Sequence, residues 1–347
     1  MDSERPHGRC QRNRCIVSLD YSRDLMRSTL RILLAIVCCV VAVGTVQSQG
    51  QAQPAGRQPS IKVTLLGTAP GPPVRVGRAG ISTLVEAAGE RFVFDAGYGS
   101  LARLVESGLP MDAVSKLFLT HLHSDHLVDL PAFMLLPWAA PSARDVPLEI
   151  WGPDGTRDMV RHLKQAFAYD IHVRRDVDER ASAKGIEVIG RDVREGTVYD
   201  RGGVKITAFF VDHGPVKPAF GYRVDHAGHS VAISGDTRPS DNLVNFSKGV
   251  DVLIHEAVDE VSLKQFAPSQ RLFEAIVGHH TTPEQAADIF RRVSPRLALF
   301  SHADGGSAVL ERTQRMYSGR VEFGEDLMVI EIGDEVMVRR RGANAVR

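Results

Sequence analysis

The chain has 347 residues, with 42 basic and 42 acidic side chains, so a formal net charge of zero gives no global pull towards nucleic acid or an anionic membrane. That length and an ordinary apolar content suffice for one large core or two modest ones. Cys10, Cys15, Cys38 and Cys39 are the only cysteines, which excludes disulfides and thiolate ligands from everything beyond residue 39 and leaves His, Asp and Glu for any metal.

Residues 32–43 form an uncharged apolar run preceded by Arg27 and Arg31. The run is short for a bilayer span but fits the core of a signal peptide. Val46-Gln47-Ser48 supplies small residues at cleavage positions, and a Gln/Pro/Gly-rich stretch follows. The division expected is an N-terminal extension and signal peptide over 1–48, a flexible spacer over 49–60 and a folded domain over 61–347. The start at Met1 or Met26 is left open. The mature protein is expected to be exported, to a periplasm, and free of the membrane once cleaved; an uncleaved anchor is the alternative.

The folded part opens with a strand-like alternation at 61–66 and a Gly/Pro loop over 67–80. Residues 82–87 and 91–95 read as a hairpin around Gly89. Ser100 is placed to cap a helix carrying Leu101, Leu104 and Val105, stopped by Gly108 and Pro110. Gly97-Tyr98-Gly99-Ser100-Leu101-Ala102 fits a loose dinucleotide pattern, but no acidic residue follows where a ribose would need it. That reading is therefore set aside.

The next strand signal, 116–119, runs into Thr120-His121-Leu122-His123-Ser124-Asp125-His126. Residues two apart at a strand end point to one side, so His121 and His123 can close on one cation. Asp125 and His126 follow where the chain must turn and can face a second. Imidazole and carboxylate suit zinc and its neighbours, and four such groups in six positions make a chance grouping of loop histidines improbable.

Beyond a strand at 147–151, Thr156 opens a helix with Met159, Leu163, Ala166 and Phe167 on one face. From Asp170 to Glu195 interleaved charges predict a solvated surface segment. Strand signals recur at 204–211, 220–224, 230–234, 250–254, 297–300 and 327–332. Three of them end near a potential ligand: His213, Asp236 and His302. Repeated delivery of an acid or imidazole at strand ends builds a site along one sheet edge on rigid supports. His255, on an apolar strand, reads as buried support. His226 and His229 read as exposed turn residues, and His162 and His172 stand apart from any cluster.

The ordered set Asp95, His121-x-His123-x-Asp125-His126, His213, Asp236 and His302 resembles the motifs of the metallo-β-lactamase superfamily over roughly residues 61–335. The resemblance implies an α/β fold, a four-layer αββα metallo-β-lactamase sandwich in a single domain. It also implies two divalent metal ions, zinc first, with manganese or iron(II) as alternatives. One would be held by His121, His123 and His213, the other by Asp125, His126 and His302, with Asp236 bridging and Asp95 orienting the ligands.

Leu66-Gly67-Thr68, Ser234-Gly235-Asp236-Thr237-Arg238-Pro239, Leu253-Ile254-His255-Glu256-Ala257 and His280-Thr281-Thr282-Pro283-Glu284-Gln285-Ala286 resemble the ribonuclease Z and arylsulfatase-like branch. There the histidine matching His280, held by the glutamate matching Glu256, protonates the leaving group, which gives a catalytic set of His280, Glu256 and Asp125. The doublet His279-His280 is resolved by aligning His-Thr-Thr. Independently, Thr282, Pro283 and Gln285 form a capping-box signature ahead of Ala286, Ile289, Phe290 and Val293 on one face.

The loop Pro73-Val74-Arg75-Val76-Gly77-Arg78 departs from the Pro-x-Lys-x-Arg-Asn pattern of ribonuclease Z, and 155–200 contains no Gly-rich basic arm. Trp138, Trp151-Gly152-Pro153-Asp154-Gly155-Thr156 and the stretch from Val211 to Tyr222 are similar to exported arylsulfatase-like members. The expectation is an exported hydrolase that attacks a small anionic ester with metal-activated hydroxide, takes no nucleic acid, and is compatible with a homodimer. A ribonuclease Z-like phosphodiesterase that trims transfer RNA is the first alternative. A lactonase or other esterase is the second. A degenerate binding member would show a broken ligand set, and none is broken here.

Overall fold

The computed structural model describes residues 59–341, which fall within one compact unit. The signal-peptide and start-codon expectations lie outside the described residues. Among the described residues no helix is long and apolar enough to cross a membrane.

The chain opens with β1 (Ile61–Gly67), β2 (Ser82–Ala87) and β3 (Glu90–Phe94), which meander antiparallel. Ala88 and Gly89, at φ 52° and 75°, make the two-residue hairpin turn whose positive φ values match the strand twist. After α1 (Ser100–Glu106), strands β4 (Lys116–Phe118), β5 (Leu148–Gly152) and β6 (Val188–Asp192) join β3 in parallel. The crossovers carry α2 (Leu130–Leu135), α3 (Thr156–Ala166) and α4 (Ala168–His172). With β14 (Val329–Ile332) and β15 (Val336–Arg339) they complete one sheet in the order β15-β14-β1-β2-β3-β4-β5-β6.

The second sheet contains β7 (Gly196–Arg201), β8 (Val204–His213), β9 (Val216–His226), β10 (His229–Ile233), β11 (Val252–Ala257), β12 (Leu297–Ala303) and β13 (Val321–Phe323), in the order β13-β12-β11-β10-β9-β8-β7. Its helices are α5 (Asp241–Ser247), α6 (Glu260–Phe266), α7 (Gln270–Val277), α8 (Pro283–Val293) and α9 (Gly306–Gln314).

Strand alternation sorts the core into layers. Phe92, Phe94, Phe118 and Trp151 of the first sheet meet Ile206, Tyr222, Val231, Ile254 and Leu299 of the second between the sheets. Their neighbours in sequence point outward: Val93 and Leu117 pack under α1 and α2, while Ala232 and Phe300 pack under α5 and α8. The result is the expected αββα sandwich. Strands buried on both faces read as continuous apolar runs, which is why β4 and β12 are visible in the sequence.

Three local readings are corrected. The helix start at residue 100 is capped by Gly99 in the left-handed region rather than by Ser100, whose hydroxyl instead reaches Asp129. The dinucleotide-like pattern, already set aside, needs no correction, since its glycines serve packing: a Cβ on Gly97 would stand 2.5 Å from the Gly80 carbonyl carbon. The charged 170–195 stretch contains β6 as well as solvated turns. Only Val188 of β6 is buried, and a charged edge strand gives no periodic apolar signal. On α3 the buried residues are Thr156 and Val160, with Met159 and Leu163 half-buried, and Ala166 is exposed.

Candidate metal and catalytic centre

The parallel strands of both sheets end along one edge, where ligand sites of open α/β sheets form. His121 and His123 follow β4, Asp236 follows β10, Glu256 ends β11 and His302 lies near the end of β12, while His213 closes β8. Gly235 makes the turn into Asp236 at φ 61°, and a Cβ there would meet the Phe220 carbonyl oxygen at 2.6 Å.

The histidine cluster is built from a buried carboxylate outward. Asp95, at the end of β3 with φ 59°, accepts from the Thr120 backbone N–H and hydroxyl, each at 2.8 Å. Its Oδ2 also lies 2.8 Å from His126 Nδ1. That contact puts the His126 proton on Nδ1 and turns Nε2 inward as a lone-pair donor. His126 Nε2 stands 3.4 Å from Asp236 Oδ2 and 3.7 Å from Asp125 Oδ2. His213 donates its Nδ1–H to the His279 carbonyl at 3.1 Å, which frees its Nε2 in the same way.

Two overlapping donor sets result. His123 Nδ1 is 3.0 Å from His121 Nε2 and 3.2 Å from His213 Nε2. Asp125 Oδ2 is 3.4 Å from His302 Nε2. Asp236 lies between the sets, with Oδ2 3.9 Å from His121 and from His213 and Oδ1 3.2 Å from His302 Nδ1. Donor atoms of His121, His123 and His213 fall within 4.8 Å of one another, as do those of Asp125, His126 and His302. His121, His126, His213, Asp236 and His302 are buried. His126 Nε2 and Asp236 Oδ1 find no hydrogen-bond partner among the described residues, and buried polar atoms in that position call for a ligand. Imidazole nitrogens and carboxylate oxygens turned inward at these separations fit two divalent cations.

Electrostatics support the same assignment. Burial holds the His121 imidazole well below its ordinary value, and the neighbouring His126 adds to this. Burial likewise lowers His123 and His213. These three rings are neutral and able to ligate. His126 goes the other way: Asp236 and Asp95 outweigh its burial and raise the ring well above its ordinary value, so a cation there would take the place of a proton on Nε2. Burial opposes ionisation of Asp236, yet His302 and His126 outweigh it and hold the carboxyl well below the usual range. Asp125 is lowered too, against burial, by its contact with His302.

Beside the donor sets stands a second pair. Glu256 Oε1 accepts from the backbone N–H groups of Thr237 at 3.2 Å and Thr281 at 3.0 Å. It also lies 3.3 Å from His280 Nδ1. Burial pulls the His280 imidazole down, but the Glu256 carboxylate outweighs it and holds the ring up at about 9. Ring centroids of His280 and His213 are 5.1 Å apart, and those of His280 and His302 6.2 Å. His280, not His279, faces the carboxylate, as the His-Thr-Thr alignment expects. The capping box of Thr282 and Gln285 is present, with Pro283 in the first turn of α8, so the loop carrying His280 runs into a fixed helix start.

All the site residues expected from sequence meet at this edge. His255 is fully buried on the opposite face of β11, against Phe290. His226 and His229 are half-buried rather than exposed, the latter 3.3 Å from Asp251. Sequence reasoning passed over Thr120, which joins Asp95 to the cluster, and the Thr237 and Thr281 amides, which hold Glu256. Their signal was positional only, in the residues flanking each motif.

The Beta-lactamase superfamily domain family matches residues 90–303. Ribonuclease Z of Mycobacterium sp. (strain KMS) is 36% identical over 290 residues, covering 81% of this chain and 100% of the relative. Among solved structures, the metallo-beta-lactamase fold protein YhfI from Bacillus subtilis superposes with a TM-score of 0.61 at 19% identity, covering 78% of this chain and 98% of that one. Human tRNase Z, short form, gives 0.59 at 24% identity, covering 78% and 99%.

These likenesses overturn the arylsulfatase-like expectation, along with the small anionic ester substrate and the exclusion of nucleic acid. The full-length relative is a ribonuclease. Net charge misled because it averages over the whole chain, whereas gripping phosphates needs only a few cationic groups around one site. The metal edge is shared by both branches and could not decide between them.

Proposed function

We propose that this chain, which belongs to the metallo-β-lactamase superfamily and is a metal-dependent hydrolase of phosphoric esters, is a ribonuclease Z-like endonuclease cleaving the RNA phosphodiester backbone, precursor transfer RNA first. The observation that carries this is the 36% identity to a ribonuclease Z across that relative's whole length, and the His280–Glu256 pair, 3.3 Å apart beside two cation-ready donor sets, fits it. A phosphodiester must lose an alkoxide, and that departure needs a proton donor.

His121, His123 and His213 would hold one cation and Asp125, His126 and His302 the other, with Asp236 placed between the two sets. Zinc is favoured by the imidazole-rich set, with manganese and iron(II) as alternatives. Cations bound there would supply an acidified water and charge neutralisation at the phosphoryl oxygens. Asp95 and the His279 carbonyl fix the His126 and His213 tautomers that present lone pairs inward. Asp125, kept ionised, is placed to take a proton from the attacking water. His280 remains protonated at neutral pH and donates to the leaving oxygen, while Glu256, held by the Thr237 and Thr281 amides, keeps the ring in register.

The apolar run at 32–43 supports export of the mature protein, in which case the RNA is met outside the cytoplasm. N-terminal sequencing of the mature protein tests that. The test of function is to load the purified protein with zinc or manganese and assay precursor transfer RNA, unstructured RNA and an activated phosphodiester. Endonucleolytic cleavage abolished by chelator is expected. A protein that holds two metals and cleaves none of these would overturn the reading.

A further inference from the structure

Beneath the metal edge, between the two sheets, lies a cavity of about 20 Å³ bounded on its inner side by Phe94, Ile233 and Ile254. Its polar lining includes Ser301, Glu256 and Asp236. Strand alternation puts them there. Leu297 and Leu299 of β12 face the inter-sheet core while Ala298 and Phe300 face the helices, so Ser301 points inward. By the same count Ile254 and Glu256 of β11 point inward and His255 outward.

Ser301, Glu256 and Asp236 are 2–3% exposed. Ser301 Oγ and Glu256 Oε2 have no hydrogen-bond partner among the described residues, and the open Asp236 Oδ1 belongs to the cation site beside His302. A hydroxyl and a carboxylate oxygen buried in this way are costly unless something satisfies them. The cavity's 20 Å³ exceeds the roughly 10–15 Å³ that one water requires.

We infer that this cavity is a built site for a single ordered water, which accepts from the Ser301 hydroxyl and donates to Glu256 Oε2. Glu256 Oε1 is already taken by the Thr237 and Thr281 amides and by His280, so the water satisfies the oxygen left over. Ser301 is therefore a positioning residue that steadies the Glu256 carboxylate behind His280 without touching substrate.

The inference deepens the dinuclear phosphodiesterase reading, and its role for Glu256 rests on that reading. It is tested by high-resolution crystal structures of the wild-type protein and of Ser301→Val, whose extra methyl fills the cavity, and by kinetics of Ser301→Val and Ser301→Ala on an activated phosphodiester. Expected are a water within hydrogen-bond distance of Ser301 Oγ and Glu256 Oε2 in the wild type and none in Ser301→Val. kcat should fall by about 10–100-fold in Ser301→Val, the usual cost of losing an outer-shell partner. KM should be unchanged, and Ser301→Ala, which keeps room for the water, should lose less. A dry cavity in the wild type, or a folded Ser301→Val with kcat within about twofold of the wild type, overturns the inference. If Ser301→Val does not fold, the wild-type map and the Ser301→Ala kinetics decide. A wild-type protein that shows the water but hydrolyses no phosphodiester refutes the functional reading and leaves the water site established.

Discussion

Asp95→Asn separates the fold from the metal chemistry more sharply than removal of any ligand. Asp95 is buried and accepts three hydrogen bonds at 2.8 Å: two from Thr120 and one from His126 Nδ1. Truncation to Ala strands the Thr120 amide and the His126 ring nitrogen, at about 1–3 kcal/mol for each unsatisfied buried group, or roughly 2–6 kcal/mol in all. That is a large part of the roughly 5–15 kcal/mol that holds a domain together.

Asparagine keeps the shape and the bond to the Thr120 amide, so its cost in stability should be nearer about 1–2 kcal/mol. Its NH2 now faces His126 Nδ1, which must become the acceptor. The imidazole proton moves to Nε2, the atom 3.4 Å from Asp236 that faces the cation position. The affinity of one cation should then fall about 10–100-fold. Urea unfolding in excess chelator reads the fold alone, because metal linkage is removed. Competition with a chromogenic chelator reads affinity. An Asp95→Asn protein that binds two equivalents with wild-type affinity would refute the tautomer argument.

His280→Ala should lower kcat on precursor RNA by about 10²–10⁴-fold while both cations stay bound, checked by metal analysis beside single-turnover kinetics. The pH profile carries its own sign. His280 is held at about 9, so it is protonated below that value and loses its donor proton above it, and cations nearby oppose the proton further. The alkaline limb of kcat/KM should therefore fall at or below pH 9, and Glu256→Gln should move it to lower pH. Arg312 on α9 reaches Glu284 in the first turn of α8 and Glu260 on α6, and lies 3.5 Å from Asp259. Arg312→Ala should destabilise by about 1–3 kcal/mol and lower kcat by loosening the helix start behind His280. Arg312→Lys should restore part of each, read by urea unfolding and steady-state kinetics.

How much of this could be read beforehand differs from element to element. β4 and β12 are apolar on both faces, so their ends, and with them His121 and His302, were visible as strand termini carrying ligands. The α8 start was visible because Thr282, Pro283 and Gln285 each have a local reason to sit where they do. By contrast, β6 exposes charge along a sheet edge and buries only Val188, leaving nothing periodic to detect. Long-range polar clamps were also invisible. Asp326 accepts from Thr68, 258 residues away, and Arg144 is buried while donating to the Phe133, Met134 and Gly185 carbonyls. Charged residues taken singly read as solvated, and only the fold brings their partners. The choice between ester and RNA chemistry failed for a related reason. It was weighed on total charge and on the N-terminal segment, whereas the site that performs the chemistry is common to both branches.

The central claim is that seven side chains from the ends of four strands converge on two cations. Anomalous diffraction at the metal edge, from crystals of protein loaded with saturating zinc, tests it most directly. The account predicts one peak among His121, His123 and His213 and a second among Asp125, His126 and His302, with Asp236 in reach of both. A single peak, or two peaks elsewhere in a folded protein, would contradict it.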